Sequence, residues 1–175
     1  VSGKSGEEGD YALGFVGMPR DGIHNRVMSE FDTPIDCKDG LDISFDVFTS
    51  GADTYFYLAD EGDFSAVKDG YDENAILLIK SNGKLYYANN RTDQPSVQVG
   101  TVTLESGKWH NINIKVEPDR EEDRSYFVIS IDGGEEYRVA TDRAFHKASV
   151  YGIGVGYLRR DKTSAEVRID NIDVA

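Results

Sequence analysis

Cysteine is nearly missing from this chain. Cys37 stands alone among 175 residues, so no internal disulfide can staple the fold. Its neighbours suggest no nucleophile, and a small buried residue is the expectation. Long apolar runs are missing too: none approaches the roughly 20 residues of a membrane-spanning helix. No segment keeps a convincing helical period; the nearest approach is a short turn expected over Gly62–Asp69. No repeat and no linker divides the chain, so residues 1–175 are expected to form one domain. The opening Val1-Ser2-Gly3-Lys4-Ser5-Gly6 has no signal-peptide pattern and reads as a segment of a longer protein.

Basic residues are scarce. Lys and Arg number 19 against 32 Asp and Glu, a formal net charge of −13. Such a surface repels phosphate, which argues against nucleic acid and anionic membranes as partners. Solubility is the simplest use of the excess carboxylates, and calcium ligation is the alternative. Familiar catalytic strings are lacking as well. His24, His110 and His146 are scattered, without zinc-site spacing. No Gly-x-Ser-x-Gly elbow occurs. Gly3-Lys4-Ser5 lacks the upstream glycine, strand and helix of a phosphate loop. Asn90-Arg91-Thr92 is a formal glycosylation sequon.

What the chain has in quantity is alternation with period two. Leu41, Ile43, Phe45 and Val47 alternate with Asp42, Ser44 and Asp46, the pattern of a strand with one buried face. Ile112, Ile114 and Val116 alternate with Asn111, Asn113 and Lys115, and Tyr126–Ile131 carries apolar bulk on both faces. Ser81-Asn82-Gly83-Lys84 and Asp132-Gly133-Gly134 are hairpin turns, with Asn-Gly supplying positive φ angles. Further strands are expected near residues 11–16, 26–33, 54–59, 97–104, 150–158 and 166–174. About a dozen short strands imply an all-β, two-sheet antiparallel sandwich.

From Gly107 onward the chain resembles the concanavalin A-like, laminin-G-like jelly rolls of bacterial polysaccharide-degrading enzymes and their binding modules. The resemblance rests on Gly107-Lys108-Trp109-His110 before a strand, Ile129-Ser130-Ile131-Asp132-Gly133 at a hairpin, and Arg168-Ile169-Asp170-Asn171-Ile172 at the close. It covers roughly the C-terminal 70 residues, and its motifs are mostly architectural. Trp109, a framework position in that family, is expected to be buried.

The resemblance implies three readings. The first is a non-catalytic carbohydrate-binding module of a secreted or cell-surface bacterial protein. It would be covalently linked to a catalytic domain and hold it on polysaccharide. The second is a catalytic jelly roll, hydrolase or lyase. The third is an adhesin or protein-interaction domain. Hydrolases of this fold carry Glu-x-Asp-x-x-Glu on one strand. That string occurs as Glu117-Pro118-Asp119-Arg120-Glu121-Glu122, but Pro118 argues against a central strand and the charge run reads as a solvated hairpin loop. The Arg-x-Glu-Val-Arg strand of alginate-type lyases is half present in Glu166-Val167-Arg168, with Ser164 at the first arginine position. The domain itself is therefore expected not to be an enzyme.

A sugar site needs aromatic faces for pyranose C–H patches and planar polar groups for hydroxyls. Candidates are Tyr55 and Tyr57 on one strand face, and Tyr86, Tyr87, Asn89, Asn90 and Arg91 running into a loop. Tyr157, Arg159 and Arg160 stand at a strand end, and Asn111 and Asn113 share a face with Trp109. Loop arginines in so acidic a chain would suit an acidic, uronate-containing polysaccharide. Related modules tie the N-terminal segment to the last strand with a structural calcium. The resemblance implies Asp170 as a ligand, and Glu7, Glu8 and Asp10 are candidate partners because calcium takes several hard oxygen ligands.

Overall fold

The computed structural model describes residues 3–17, 24–59, 75–87, 97–141, 144–158 and 165–175. The turn expected over Gly62–Asp69 lies outside them. The described strands are β1 (Leu13–Gly17), β2 (His24–Asp36), β3 (Leu41–Ser50), β4 (Asp53–Ala59), β5 (Ala75–Ile79) and β6 (Lys84–Tyr87). They continue with β7 (Val97–Thr103), β8 (Trp109–Asp119), β9 (Arg124–Ile131), β10 (Tyr137–Ala140), β11 (Ser149–Leu158) and β12 (Ala165–Val174). A 3-10 turn at Phe145–Lys147, too short to leave a periodic signal, precedes β11.

Two antiparallel six-stranded sheets result, ordered β1-β12-β3-β8-β9-β10 and β2-β11-β4-β5-β6-β7. This is the two-sheet jelly-roll sandwich expected from the alternation. The inward residues of both sheets make one core, in which Ile43, Phe45, Ile112, Ile114, Phe127 and Ile129 meet Phe56, Leu58, Ile79, Leu85, Tyr87 and Val155. Phe45 and Phe56 stack across the layers with centroids 4.3 Å apart and planes 8° apart. Tyr87 meets Phe127 edge-on at 5.4 Å. Each fully buried side chain of this size stabilises the sandwich by about 1.5–3 kcal/mol. Cys37 is fully buried, as expected.

The two hairpins form where the turn residues stand. Asp132 and Gly133 both take positive φ (52° and 67°), whereas at Asn82-Gly83 only the glycine does (φ 80°). There the Gly83 N–H donates to the Lys80 carbonyl at 2.7 Å, a turn closed by one left-handed glycine. The Glu117–Glu122 segment departs from the expected loop: β8 continues through Pro118 to Asp119. Its partner β3 ends its pairing at Val116, so Pro118 has a neighbour only on the β9 side, opposite Ser125. The acids of this string then diverge. Glu117 pairs with Arg138, Asp119 accepts the Glu121 and Glu122 N–H groups, and Glu122 takes Arg124 and the Tyr126 hydroxyl. They assemble no catalytic pair.

Candidate functional site

The second sheet carries aromatic residues on both of its faces. Phe56 and Leu58 of β4 enter the core, and the alternate Tyr55 and Tyr57 turn to the opposite face. There they form a separate apolar cluster with Leu78 and Tyr86. The Tyr55 and Tyr57 rings lie 6.2 Å apart at 23°. Strand register extends this cluster into a row across all six strands: Arg26, Gly156, Tyr55, Leu78, Tyr86 and Gln98. The next row holds Met28, Gly154 and Tyr57, and the one beyond it Glu30, Gly152 and Ala59. Gly152, Gly154 and Gly156 thus leave a strip without side chains beside the tyrosines. Glycine inside a strand marks a place where backbone is approached closely.

Exposure separates the tyrosines. Tyr55 and Tyr57 are 7% and 2% exposed, so they form the floor of the cluster. Tyr86 is half-buried, and the Lys80 ammonium stands 5.8 Å from its ring centroid. Asp53, buried at the end of the same face, accepts the Ser81 N–H at 2.8 Å. The face therefore exposes part of Tyr86 and the Gln98 amide beside buried tyrosines and buried glycines, with the Lys80 ammonium 4.0 Å from the Asp53 carboxylate. Leu78, Lys80, Gln98 and the glycine strip were not among the sequence candidates. The strip has a visible signal, glycine at every second position of 152–156.

The remaining candidates scatter. Tyr87 belongs to the core at 1% exposure, one residue out of phase with Tyr86. Tyr157 pairs in register with Thr54 and Asn25. Asn89, Arg91, Arg159 and Arg160 lie outside the described residues, as does Asn90.

Asn111, Asn113 and Trp109 share the outer face of the first sheet, away from the tyrosines. Trp109 is half-buried rather than enclosed, packed against its cross-strand partner Phe48 with centroids 5.8 Å apart. The Arg168 guanidinium stands 4.9 Å from the Phe48 ring and is engaged by Glu166, its Nε 2.6 Å from Oε1. Asn113 faces Ser44 and Ser130 in register. Asn111 is committed on that face, its amide donating to its cross-strand neighbour Asp46 at 3.0 Å. Asp46, 4% exposed, also receives Asn171 Nδ2 at 2.8 Å and Lys4 Nζ at 2.9 Å. Burial pushes its carboxyl up, but the hydrogen bonds from Asn171, Lys4 and Asn111 together with the Lys4 charge hold it below the ordinary aspartate value.

This network joins the N-terminal segment to the last strand, the task the resemblance gave to calcium. Asp170 accepts the Lys4 N–H at 2.9 Å and the Asn171 N–H at 2.8 Å. Asp10 accepts the Ser5 N–H at 2.8 Å and its hydroxyl at 2.6 Å. Glu7 and Glu8 are exposed. Among the described residues no three His, Cys, Asp or Glu side chains form a group fit to hold a metal ion. The Asp46 carboxylate is taken up by the Lys4 ammonium and the two asparagine amides. Nearby, His110 Nδ1 lies 2.8 Å from Asp132 and its Nε2 accepts the Glu105 N–H at 3.1 Å, which ties the imidazole into the hairpin.

No protein-family model matches the chain, and no curated protein does. Solved structures match it along nearly its full length. The PL-14 alginate lyase from Aplysia kurodai superposes with a TM-score of 0.62 at 11% identity, covering 96% of this chain and 84% of that one. The cellulose-induced protein Cip1 gives 0.59 at 14% identity, covering 99% and 83%. The metal-free carbohydrate recognition domain of Emp46p gives 0.51 at 13%, covering 89% and 81%. The fold is thus that of the concanavalin A-like jelly rolls. Alginate lyases recur among the matches, including AlyC3 and A1-II′. The expectation that this domain is not an enzyme is overturned by them: its fold, over nearly its whole length, is one on which lyases act. At these identities the likeness shows the fold and assigns no residue a role.

Proposed function

We propose that this chain is a polysaccharide-recognising jelly roll that engages a uronate-containing glycan along the outer face of its second sheet. The observation that carries the reading is the Tyr55–Tyr57–Tyr86 cluster, built outside the main core and in one row with Gln98. Aromatic faces suit pyranose C–H patches, and planar amide or guanidinium groups suit hydroxyls and carboxylates. Alginate lyases and a carbohydrate recognition domain are among the matching structures, which supports the glycan class. A secreted or cell-surface setting, with a further domain on the same polypeptide, fits such a role.

Lytic action on the same glycan is a second reading, favoured by the alginate lyases among the matching structures. Eliminating across a uronate ring requires a partner for the carboxylate, a base for the ring proton and an acid for the departing oxygen, and a phenol can serve as base or acid. Affinity electrophoresis in alginate, pectin and neutral glucan gels tests the first reading. Ultraviolet absorbance of unsaturated uronate ends tests the second. Retention by uronate polymers that Tyr86→Ala weakens supports the proposal, and retention that is absent or indifferent to Tyr86 removes it.

A further inference from the structure

An open cleft of about 390 Å³ lies where the last strand of each sheet is unpaired, between β7 and β10. It falls within the range of about 300–1,000 Å³ typical of small-molecule sites. Val97, Gln98 and Gly100 line it from β7, and Glu136, Tyr137 and Arg138 from the β10 side. It adjoins the row of the tyrosine cluster at Gln98, the register partner of Tyr86.

Tyr137 is fixed here by a close approach. Gly100 takes φ +55°, and a Cβ at that position would fall 2.2 Å from Tyr137 Cε1, so only glycine lets the ring lie against the β7 backbone. The Tyr137 hydroxyl donates to Glu135 at 3.3 Å, and the ring packs in part against the core. Gln98 Nε2 donates to the Gly100 carbonyl at 3.1 Å, which holds its amide at the mouth. The cations around the cleft are already engaged. Arg138 lies 3.3 Å over the Tyr126 ring and 3.5 Å from Glu117, and Lys115 lies 3.7 Å from Glu136. Glu135 adds a further carboxylate. The local charge therefore opposes an anionic sugar, whereas carboxylates and an amide around an immobilised phenol match the hydroxyls and C–H face of a neutral one.

We propose that this edge cleft is a second glycan-contact site, taking a neutral pyranose of an oligosaccharide, with Tyr137 as platform and Gln98 and Glu136 as hydroxyl partners. It shares Gln98 with the row of the uronate face, while Tyr137 and Glu136 belong to the cleft alone. The two sites would allow one chain to hold acidic and neutral polysaccharide together.

The test is calorimetric titration of the intact chain with neutral hexasaccharides of β-1,4-glucan, β-1,4-xylan, β-1,4-mannan and β-1,3-glucan. At least one should bind. Tyr137→Ala should weaken it about tenfold, and Gln98→Ala or Glu136→Gln about threefold, the scale of one lost ring contact or hydrogen bond. Gly100→Ala, which displaces the ring while keeping Tyr137, should reproduce the Tyr137→Ala loss. Glu7→Gln, an exposed change in the N-terminal segment, should leave neutral binding unchanged. Gln98→Ala and Glu136→Gln alter only exposed side chains, so they keep the result readable if Tyr137→Ala folds poorly. The proposal is overturned if no neutral oligosaccharide binds, if binding follows Tyr86 rather than Tyr137, or if a lysine-rich peptide occupies the cleft in place of sugar. Loss of uronate binding alone would sink the earlier reading and leave this one standing.

Discussion

Lys4 Nζ lies 2.9 Å from Oδ1 of Asp46, a carboxylate only 4% exposed in the middle of β3. Two asparagine amides complete the shell, one from β8 and one from β12. Removing Asp46 leaves those amides without their acceptor and frees the N-terminal segment, so Asp46→Ala should cost about 3 kcal/mol. Lys4 is 43% exposed and its charge rehydrates, so Lys4→Met should cost only about 1 kcal/mol. Urea denaturation of both variants checks the ratio. With the ammonium seated on this carboxylate, a chelator should leave the melting temperature unchanged. A fall on chelation would mean that a metal shares the site.

The same carboxylate makes a pH prediction. The Asp46 folded-state pKa lies below its ordinary value of 3.8, and the Asp132 carboxyl is lowered likewise: burial raises it, but the hydrogen bonds from His110 and the Asn111 N–H outweigh that. A depressed aspartate contributes stability that is fully present above its unfolded pKa and is lost as pH falls through the folded one. Stability should therefore hold down to about pH 4 and decline below it. In Asp46→Asn that decline should be shallower. Urea midpoints measured from pH 6 down to pH 2.5 decide this, and parallel curves for the two proteins would exclude the assignment.

Tyr86 and Tyr57 should separate binding from stability. Tyr57 is 2% exposed, so Tyr57→Ala should cost about 3–5 kcal/mol. Tyr86 is half-buried, and Tyr86→Ala should cost about 1 kcal/mol while weakening uronate-polymer retention about tenfold. If Tyr86→Ala is retained like the parent protein, the outer face of the second sheet is not the glycan surface.

Alternation made the strands legible, because a half-buried strand writes its two faces into every second residue. Strand pairing was less legible, since period two does not say which neighbour a strand chooses. Tyr86 and Tyr87 show how far the pattern reaches. Both read as loop-edge tyrosines, yet Tyr87 shares the phase of Leu85 and enters the core. Asp46 sat in the polar phase of β3 and read as solvent-facing, but its burial comes from Lys4 and Asn171, 42 and 125 residues away. Pro118 misled for a local reason: the rule against proline in central strands does not hold where one neighbour has already ended. The glycine strip was visible in sequence but acquires meaning only once β11 is set beside β4.

Gly83 tests the hairpin directly. Its φ is +80°, and a Cβ there would lie 2.1 Å from the Leu104 carbonyl oxygen, which itself belongs to the residue whose N–H binds the Gly83 carbonyl at 2.9 Å. Gly83→Ala must therefore strain the turn and push β6 from the end of β7. A loss of about 2–3 kcal/mol is expected, more than the roughly 1 kcal/mol of a left-handed alanine alone. Asn82→Ala keeps the glycine and loses only the side-chain contact to the Lys84 N–H at 3.1 Å, so it should cost under about 1 kcal/mol. Equal losses in the two variants would mean that the close approach to Leu104 is not what fixes this turn.

The stacked pair Phe45 and Phe56 should be the most costly single contact to break. Phe45 comes from the centre of the first sheet and Phe56 from the centre of the second, so their 4.3 Å contact is made between the layers and not along either one. Each ring is at most 3% exposed. Truncating either to alanine opens a cavity that two pleated sheets cannot close without shifting relative to each other. A loss of about 3–5 kcal/mol is expected for each. Because both variants empty the same space, the double variant should lose clearly less than the sum, with a coupling of about 0.5–3 kcal/mol. Denaturation of the two single variants and the double one measures this. Strict additivity would show that the rings do not hold the sheets together as a pair.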